Sequence, residues 1–296
     1  MIKYLLPISV ALLVITSCSK PIASFMYQAD TDSAPTNITT ENKSQNADMY
    51  LWDFGDGTKS KEVNPSHTYP LSGRYVISLE AKKNNKISIT EKEIIVEAPK
   101  DCRVLVKTNM GDMTILLSDE TPEHRDNFLK LVNEGFYNGL LFHRVINGFM
   151  IQGGDPKSKG ADENARLGGG GPGYTVPAEF VPELLHYKGA LAAARTGDAV
   201  NPEKNSSGSQ FYLVHGNLLT DDQLNKIERQ SGHIYTDEQR EEYKTVGGTP
   251  FLDHNYTVFG RVVEGLDIID KIAATPTQPG DRPTEDVIIL EMTAIK

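Results

Sequence analysis

Cysteine is nearly absent from this 296-residue chain: there are two, Cys18 and Cys102, which cannot make a disulfide framework. Tryptophan occurs once, at Trp52. Positive charge is in deficit, with 30 Lys and Arg against 40 Asp and Glu, a net charge of -10 and an isoelectric point near 5.2. That balance excludes nucleic acid as a partner and leaves no basic stripe for anionic lipid. The apolar stretch at the amino end, Tyr4 to Ile15, falls short of the roughly 20 residues that a membrane-spanning helix needs. The seven histidines show no zinc-protease spacing, and no G-x-S-x-G elbow occurs. Gly168 to Gly173 (GGGGPG) lacks the Lys-Ser/Thr that follows in a phosphate loop, and reads as a flexible surface turn. Neither a metal nor a cofactor is expected.

What is present begins with a leader. Met1 to Ser17 carries one positive charge, Lys3, ahead of its apolar core, which is the layout of a signal peptide. Ile15-Thr16-Ser17-Cys18 resembles a bacterial lipobox, in which small residues precede a cysteine that becomes lipidated and N-terminal. The other reading is a cleaved secretory signal with a chance cysteine. A lipid on Cys18 would tether residues 18–20 to a membrane without a transmembrane helix, and would place the protein in the bacterial cell envelope as a lipoprotein.

Residues 21–98 alternate short strand-like runs with turn residues. Ile22 to Tyr27 reads as a first strand, and the polar Thr31 to Asp48 as a loop or weak edge strands. In Tyr50 to Gly57 (YLWDFGDG), Trp52 and Phe54 share a face ahead of the hairpin signal Asp56-Gly57. Several short strands with regular turns suggest an immunoglobulin-like β-sandwich with Trp52 as core anchor and Tyr69 and Tyr75 around it. Asp53 and Asp56 lack the EF-hand spacing, so they read as turn-stabilising carboxylates rather than calcium ligands. WDFGDGTKS, then NPSHTY and SGRYVISL, closely resemble the PKD domain, a small extracellular sandwich. The resemblance implies a spacer or a platform that binds protein or glycan, with no catalytic role.

Residues 99–296 give a second, mainly β pattern with a few helices. Arg103–Lys107 and Met113–Leu117 flank the hairpin signal Asn109 to Asp112. Thr121-Pro122-Glu123 opens a helix with Phe128, Leu131 and Val132 as its apolar stripe and Gly135 at its end. Between Asn217 and Gly248, Thr220/Gln223 and Thr236/Gln239 are two capping boxes, predicting two short helices. Leu266–Ala274 is expected to form a closing helix and Val287–Ile295 the last strand. Phe142 to Asp155 (FHRVINGFMIQGGD) places one arginine, Arg144, in a run of Phe, Val, Ile and Met. A guanidinium there is costly unless it meets a partner or an open cleft, so an internal ion pair, a snorkelling side chain and a functional cleft are all open from the pattern alone.

That run, Ser207 to Tyr212 (SGSQFY), and Phe251-Leu252-Asp253 with Tyr256 to Gly260 (YTVFG) resemble, in order, three motifs of the cyclophilins, the peptidyl-prolyl cis-trans isomerases. The resemblance covers residues 102–296 except 217–248, which looks like an insertion. It implies a closed antiparallel β-barrel capped by helices, acting on X-Pro segments of unfolded or folding proteins. By the same resemblance Arg144 is catalytic, Gln152 orients it, and Phe149, Met150, Tyr212 and Leu252 hold the proline ring. The backbone at Ala194 and Arg195 clamps the residue before proline, and Phe251 and Tyr256 form the rim. His143 is read as structural, facing away from the site. The family commonly has Asn at Arg195, Phe at Tyr212, Trp at Phe251 and His at Tyr256. Tyr212 therefore brings a hydroxyl that needs a partner, and Arg195 a charge that would favour acidic residues near the proline. The alternatives from other classes are a proline-peptide binding module or chaperone with little turnover, and an adhesin-like surface protein.

Overall fold

The computed structural model describes residues 20–295, so the leader and Cys18 lie outside the described residues. Two compact units are present. The first contains β1 (Phe25–Ala29), β2 (Thr36–Asn42), β3 (Met49–Asp53), β4 (Lys59–Ser60), β5 (Ser66–Tyr69), β6 (Gly73–Lys83) and β7 (Lys86–Val96). They form a three-stranded sheet, β1-β2-β5, and a four-stranded sheet, β4-β3-β6-β7. The segment expected to be loop or weak edge strands holds a full strand, β2. Thr36, Ile38 and Thr40 face inward and Ile38 is fully buried, so the period-2 alternation outweighs the polar composition. Trp52 is also fully buried; Phe25 packs edge-on at 5.1 Å, Phe54 stacks at 6.4 Å, and the indole N–H donates to Glu62 O at 3.0 Å. Tyr69 is buried and Tyr75 half-buried. Asp53 accepts from Gly55 N–H at 3.0 Å and Asp56 from Thr58 N–H at 2.9 Å, so both carboxylates close turns.

The second unit runs through β8 (Arg103–Thr108), β9 (Gly111–Leu117), α1 (Pro122–Asn133), β10 (Arg144–Ile146), β11 (Met150–Gly153), β12 (Thr175–Val176), β13 (Ala190–Ala193), β14 (Ser206–Ser207) and β15 (Phe211–Val214). It continues with α2 (Asp221–Ser231), α3 (Asp237–Thr245), β16 (Val258–Glu264), α4 (Leu266–Ala273) and β17 (Ile289–Ile295). Eight strands form one curled antiparallel sheet in the order β10-β11-β15-β13-β16-β9-β8-β17. Between its two ends the seam is irregular. A single bridge, Leu141–Ile288, is flanked by Phe142 N–H to Val287 O at 2.9 Å and Val145 N–H to Asp281 O at 2.8 Å.

Alternation along the central strands gives the sheet two jobs. Ile151, Leu191, Ala193, Phe211 and Leu213 face the main core with α1 and α4. Their neighbours Met150, Ala190, Ala192, Tyr212 and Val214 point the other way, into a smaller cluster joined by Phe149, Leu252 and Tyr256. Thr121 is the N-cap of α1, but its hydroxyl makes no capping bond. The Glu179 carboxylate takes that place, accepting from Glu123 N–H at 3.1 Å and His124 N–H at 2.9 Å. Both predicted capping boxes are formed, and α2 ends on Gly232 in the left-handed region (φ 76°).

Candidate active site

The outward-facing side of β11 and β15, with Ala194 just past β13, floors a cleft of about 810 Å³. Arg144, Gln152, Phe149, Met150, Ala194, Arg195, Tyr212, Leu252 and Tyr256 all line it. Phe251 does not: it is exposed and touches the site by its ring, 5.7 Å from that of Phe149. His143, expected to face away, also contributes to the lining while remaining buried. Burial lowers its pKa against the pull of the Asp155 carboxylate and of the Leu141 backbone.

Antiparallel pairing of β10 with β11 sets Arg144 directly opposite Gln152. Among the described residues no hydrogen bond joins the two side chains. Gln152 Nε2 donates instead to Gln210 Oε1 at 3.0 Å, and Arg144 Nε is held by Asp281 Oδ2 at 3.2 Å. Among the described residues the two Nη groups of Arg144 have no partner, and the side chain is about two-fifths exposed. A planar fork anchored at Nε and open at Nη offers its donors to whatever enters the cleft.

Residues 163–168, 278–280 and Arg282 complete the lining. Arg282 ties them, donating to Asp162 O at 2.6 Å and Glu163 O at 3.1 Å while pairing with Asp286 at 3.0 Å. No periodicity marks these polar, Pro- and Gly-containing segments. The run of glycines from Gly168 is a surface turn tied from outside at Gly168 and Gly170. Asp155 Oδ2 accepts from Gly168 N–H at 2.5 Å and Gly170 N–H at 3.2 Å, and Gln210 Nε2 donates to Gly168 O and Gly170 O at 3.0 and 2.7 Å. A Cβ on Gly170 would lie 2.0 Å from Asp155 Oδ1, so glycine is required for that approach.

The family signature then fits the geometry. A family model described as cyclophilin type peptidyl-prolyl cis-trans isomerase/CLD matches residues 103–294, and a PKD domain model matches residues 18–96. The chain belongs to the cyclophilin-type peptidyl-prolyl cis-trans isomerases. A Staphylococcus saprophyticus protein named for the same activity is 38% identical over 192 residues, 64% of this chain and 89% of that one. A Streptococcus pyogenes protein named as a bifunctional phosphatase and isomerase is 40% identical over 190 residues, 63% of this chain and 37% of the relative. The crystal structure of a Cryptosporidium parvum cyclophilin aligns over 66% of this chain and 97% of its own, at 25% identity and a TM-score of 0.48.

Within this cyclophilin the departures at Arg195 and Tyr212 have specific surroundings. The Arg195 guanidinium is buried, donating to Asn255 O at 2.8 Å and Thr196 O at 3.0 Å, pairing with Asp198 at 2.5 Å and lying 4.5 Å from the Tyr256 ring centre. These contacts brace the rim. Ala194 N–H and C=O are taken by Gln210 O and Ser207 N–H. The Arg195 backbone makes no hydrogen bond among the described residues, so its N–H and C=O stand open beside the cleft. Burial raises the Tyr212 phenol pKa well above its ordinary value, and its hydroxyl is 2.9 Å from His186 Nε2.

Proposed function

We propose that this isomerase turns X-Pro bonds of exported or envelope proteins by non-covalent stabilisation of the twisted amide, with Arg144 as the catalytic group. The observation that carries the reading is the open Nη fork of Arg144, held at Nε by Asp281, in one cleft with Phe149, Met150, Tyr212 and Leu252. Rotation about a peptide bond faces about 18–20 kcal/mol, and unaided X-Pro isomerisation takes tens to hundreds of seconds. In the twisted state the prolyl nitrogen loses conjugation and becomes a better acceptor, so a fixed guanidinium favours that state over either planar form. Reaching milliseconds requires roughly four decades, about 5–6 kcal/mol. One charge-assisted hydrogen bond supplies about 1.5–3 kcal/mol, and positioning of the peptide with exclusion of water around the proline supplies the remainder. The apolar side chains hold the proline ring, the open backbone of Arg195 clamps the preceding residue, and Gln152 is set beside both.

The leader and Cys18 support a lipid-anchored location in the bacterial cell envelope, with the PKD domain as spacer or as a platform for protein or glycan. The test of the chemistry is NMR exchange of a short X-Pro peptide with the full chain and with Arg144→Ala. The variant is expected to lose one to two decades of kcat/KM, the worth of one charge-assisted hydrogen bond. A folded Arg144→Ala protein that exchanges the peptide within about twofold of the parent would overturn the mechanism.

A further inference from the structure

Behind the proline pocket runs a chain of buried polar side chains that the arginine mechanism does not use. Tyr212 Oη lies 2.9 Å from His186 Nε2, and His186 Nδ1 lies 2.8 Å from Asp253 Oδ1, which also accepts the His186 backbone N–H at 2.8 Å. The other carboxylate oxygen, Oδ2, accepts the phenolic hydroxyls of Tyr235 at 2.8 Å and Tyr243 at 2.6 Å. All five residues are at most 5% exposed.

The directions of these bonds follow from the groups. An ionised carboxylate only accepts, so the His186 proton facing it sits on Nδ1, and in the neutral ring Nε2 is then the acceptor for the Tyr212 O–H. The imidazole also stacks on the Tyr212 ring, 6.0 Å apart and 14° from parallel, while Tyr256 meets that ring edge-on at 6.0 Å. Plane and hydroxyl of Tyr212 are thus both fixed. Tyr235 precedes α3 and Tyr243 lies within it; with Leu224 they pack on Leu185 in a small core of their own. The Tyr235 hydroxyl, whose one proton is directed at Asp253 Oδ2, also lies 3.1 Å from Pro250 O, so it sits against the turn that carries Leu252.

We propose that the helical segment 217–248 is a positioning element of the proline pocket. Tyr235 and Tyr243 hold Asp253, Asp253 fixes the His186 tautomer, and His186 locks the Tyr212 ring against which the proline packs. The inference rests on the reading of the cleft as the isomerisation site. Tyr235 and Tyr243 do not line the cleft, so they touch no substrate and act through Tyr212.

The test is a double-mutant cycle on the full chain, measuring kcat and KM for an X-Pro peptide with Tyr235→Phe/Tyr243→Phe, with Tyr212→Phe, and with all three changes. The pair is expected to lower kcat/KM by about five- to tenfold, mainly through KM, and to add little to the loss already caused by Tyr212→Phe. Losses that multiply in the triple variant, or a folded pair with the parent kcat/KM, would overturn the proposal. A purely structural role lowers the melting temperature alike in both backgrounds and leaves no such coupling in KM. If the pair does not fold, Tyr235→Phe alone keeps one donor on Asp253 Oδ2 and supports the same cycle with a smaller loss. Arg144→Ala separates the two readings: if that variant stays active, the arginine mechanism fails whatever the tyrosines do.

Discussion

At the scale of single residues, the partner of Arg144 decides how well its fork is aimed. Asp281 is half-exposed, and pairs of that kind are worth about 0–1 kcal/mol. Asp281→Ala is therefore expected to reduce kcat/KM by roughly two- to fivefold, far less than loss of Arg144 itself, in the same peptide assay. Arg144 was legible as a candidate because it lies in the first of three motifs that follow in the family's order; its anchor was not. Asp281 sits in a turn-rich stretch whose position against β10 is set by a backbone bond, Val145 N–H to Asp281 O, that leaves no periodic trace. His143 adds a dependence on pH. Burial lowers its folded pKa below the ordinary 6.5, so the unfolded chain takes up its proton first. The stability it contributes is complete above pH 6.5 and is lost as pH falls through the lowered folded value. His215 and His254 are shifted the same way by burial, so His143→Gln is expected to make the fall in urea-unfolding stability between pH 6.5 and 5 shallower without abolishing it.

At the scale of elements, local chemistry was readable and distant chemistry was not. The boxes at Thr220/Gln223 and Thr236/Gln239 are complete within four residues, and both form as read. Thr236→Ala is expected to cost about 0.5–2 kcal/mol and to lower the melting temperature measured by calorimetry by a few degrees. For α1 the same logic named the N-cap but missed the group that satisfies its amides, because Glu179 arrives from a different part of the chain. The glycine run is a related case: a row of residues without side chains carries no sign in the sequence that Asp155 and Gln210 hold its backbone at Gly168 and Gly170 from outside the run. Strand β2 shows the opposite case: Ile38 alone, flanked by threonines at period 2, suffices to bury a segment whose composition is polar.

At the scale of the whole molecule, the proposed anchor is separable from the chemistry. Cys18→Ala is expected to move the protein from the membrane fraction to the soluble fraction of the producing cell while leaving peptide isomerisation unchanged. Retention in the membrane would sink the lipid assignment and leave the isomerase reading intact. No such separation exists between catalysis and folding. Met150 and Ile151, Tyr212 and Leu213 alternate along two strands, one residue of each pair flooring the cleft and the other filling the core. A change at Leu213 is therefore also a change beneath Tyr212. The lineage of such a protein cannot tune its substrate pocket by drift in one place while its core drifts in another; the two must be inherited, and altered, together.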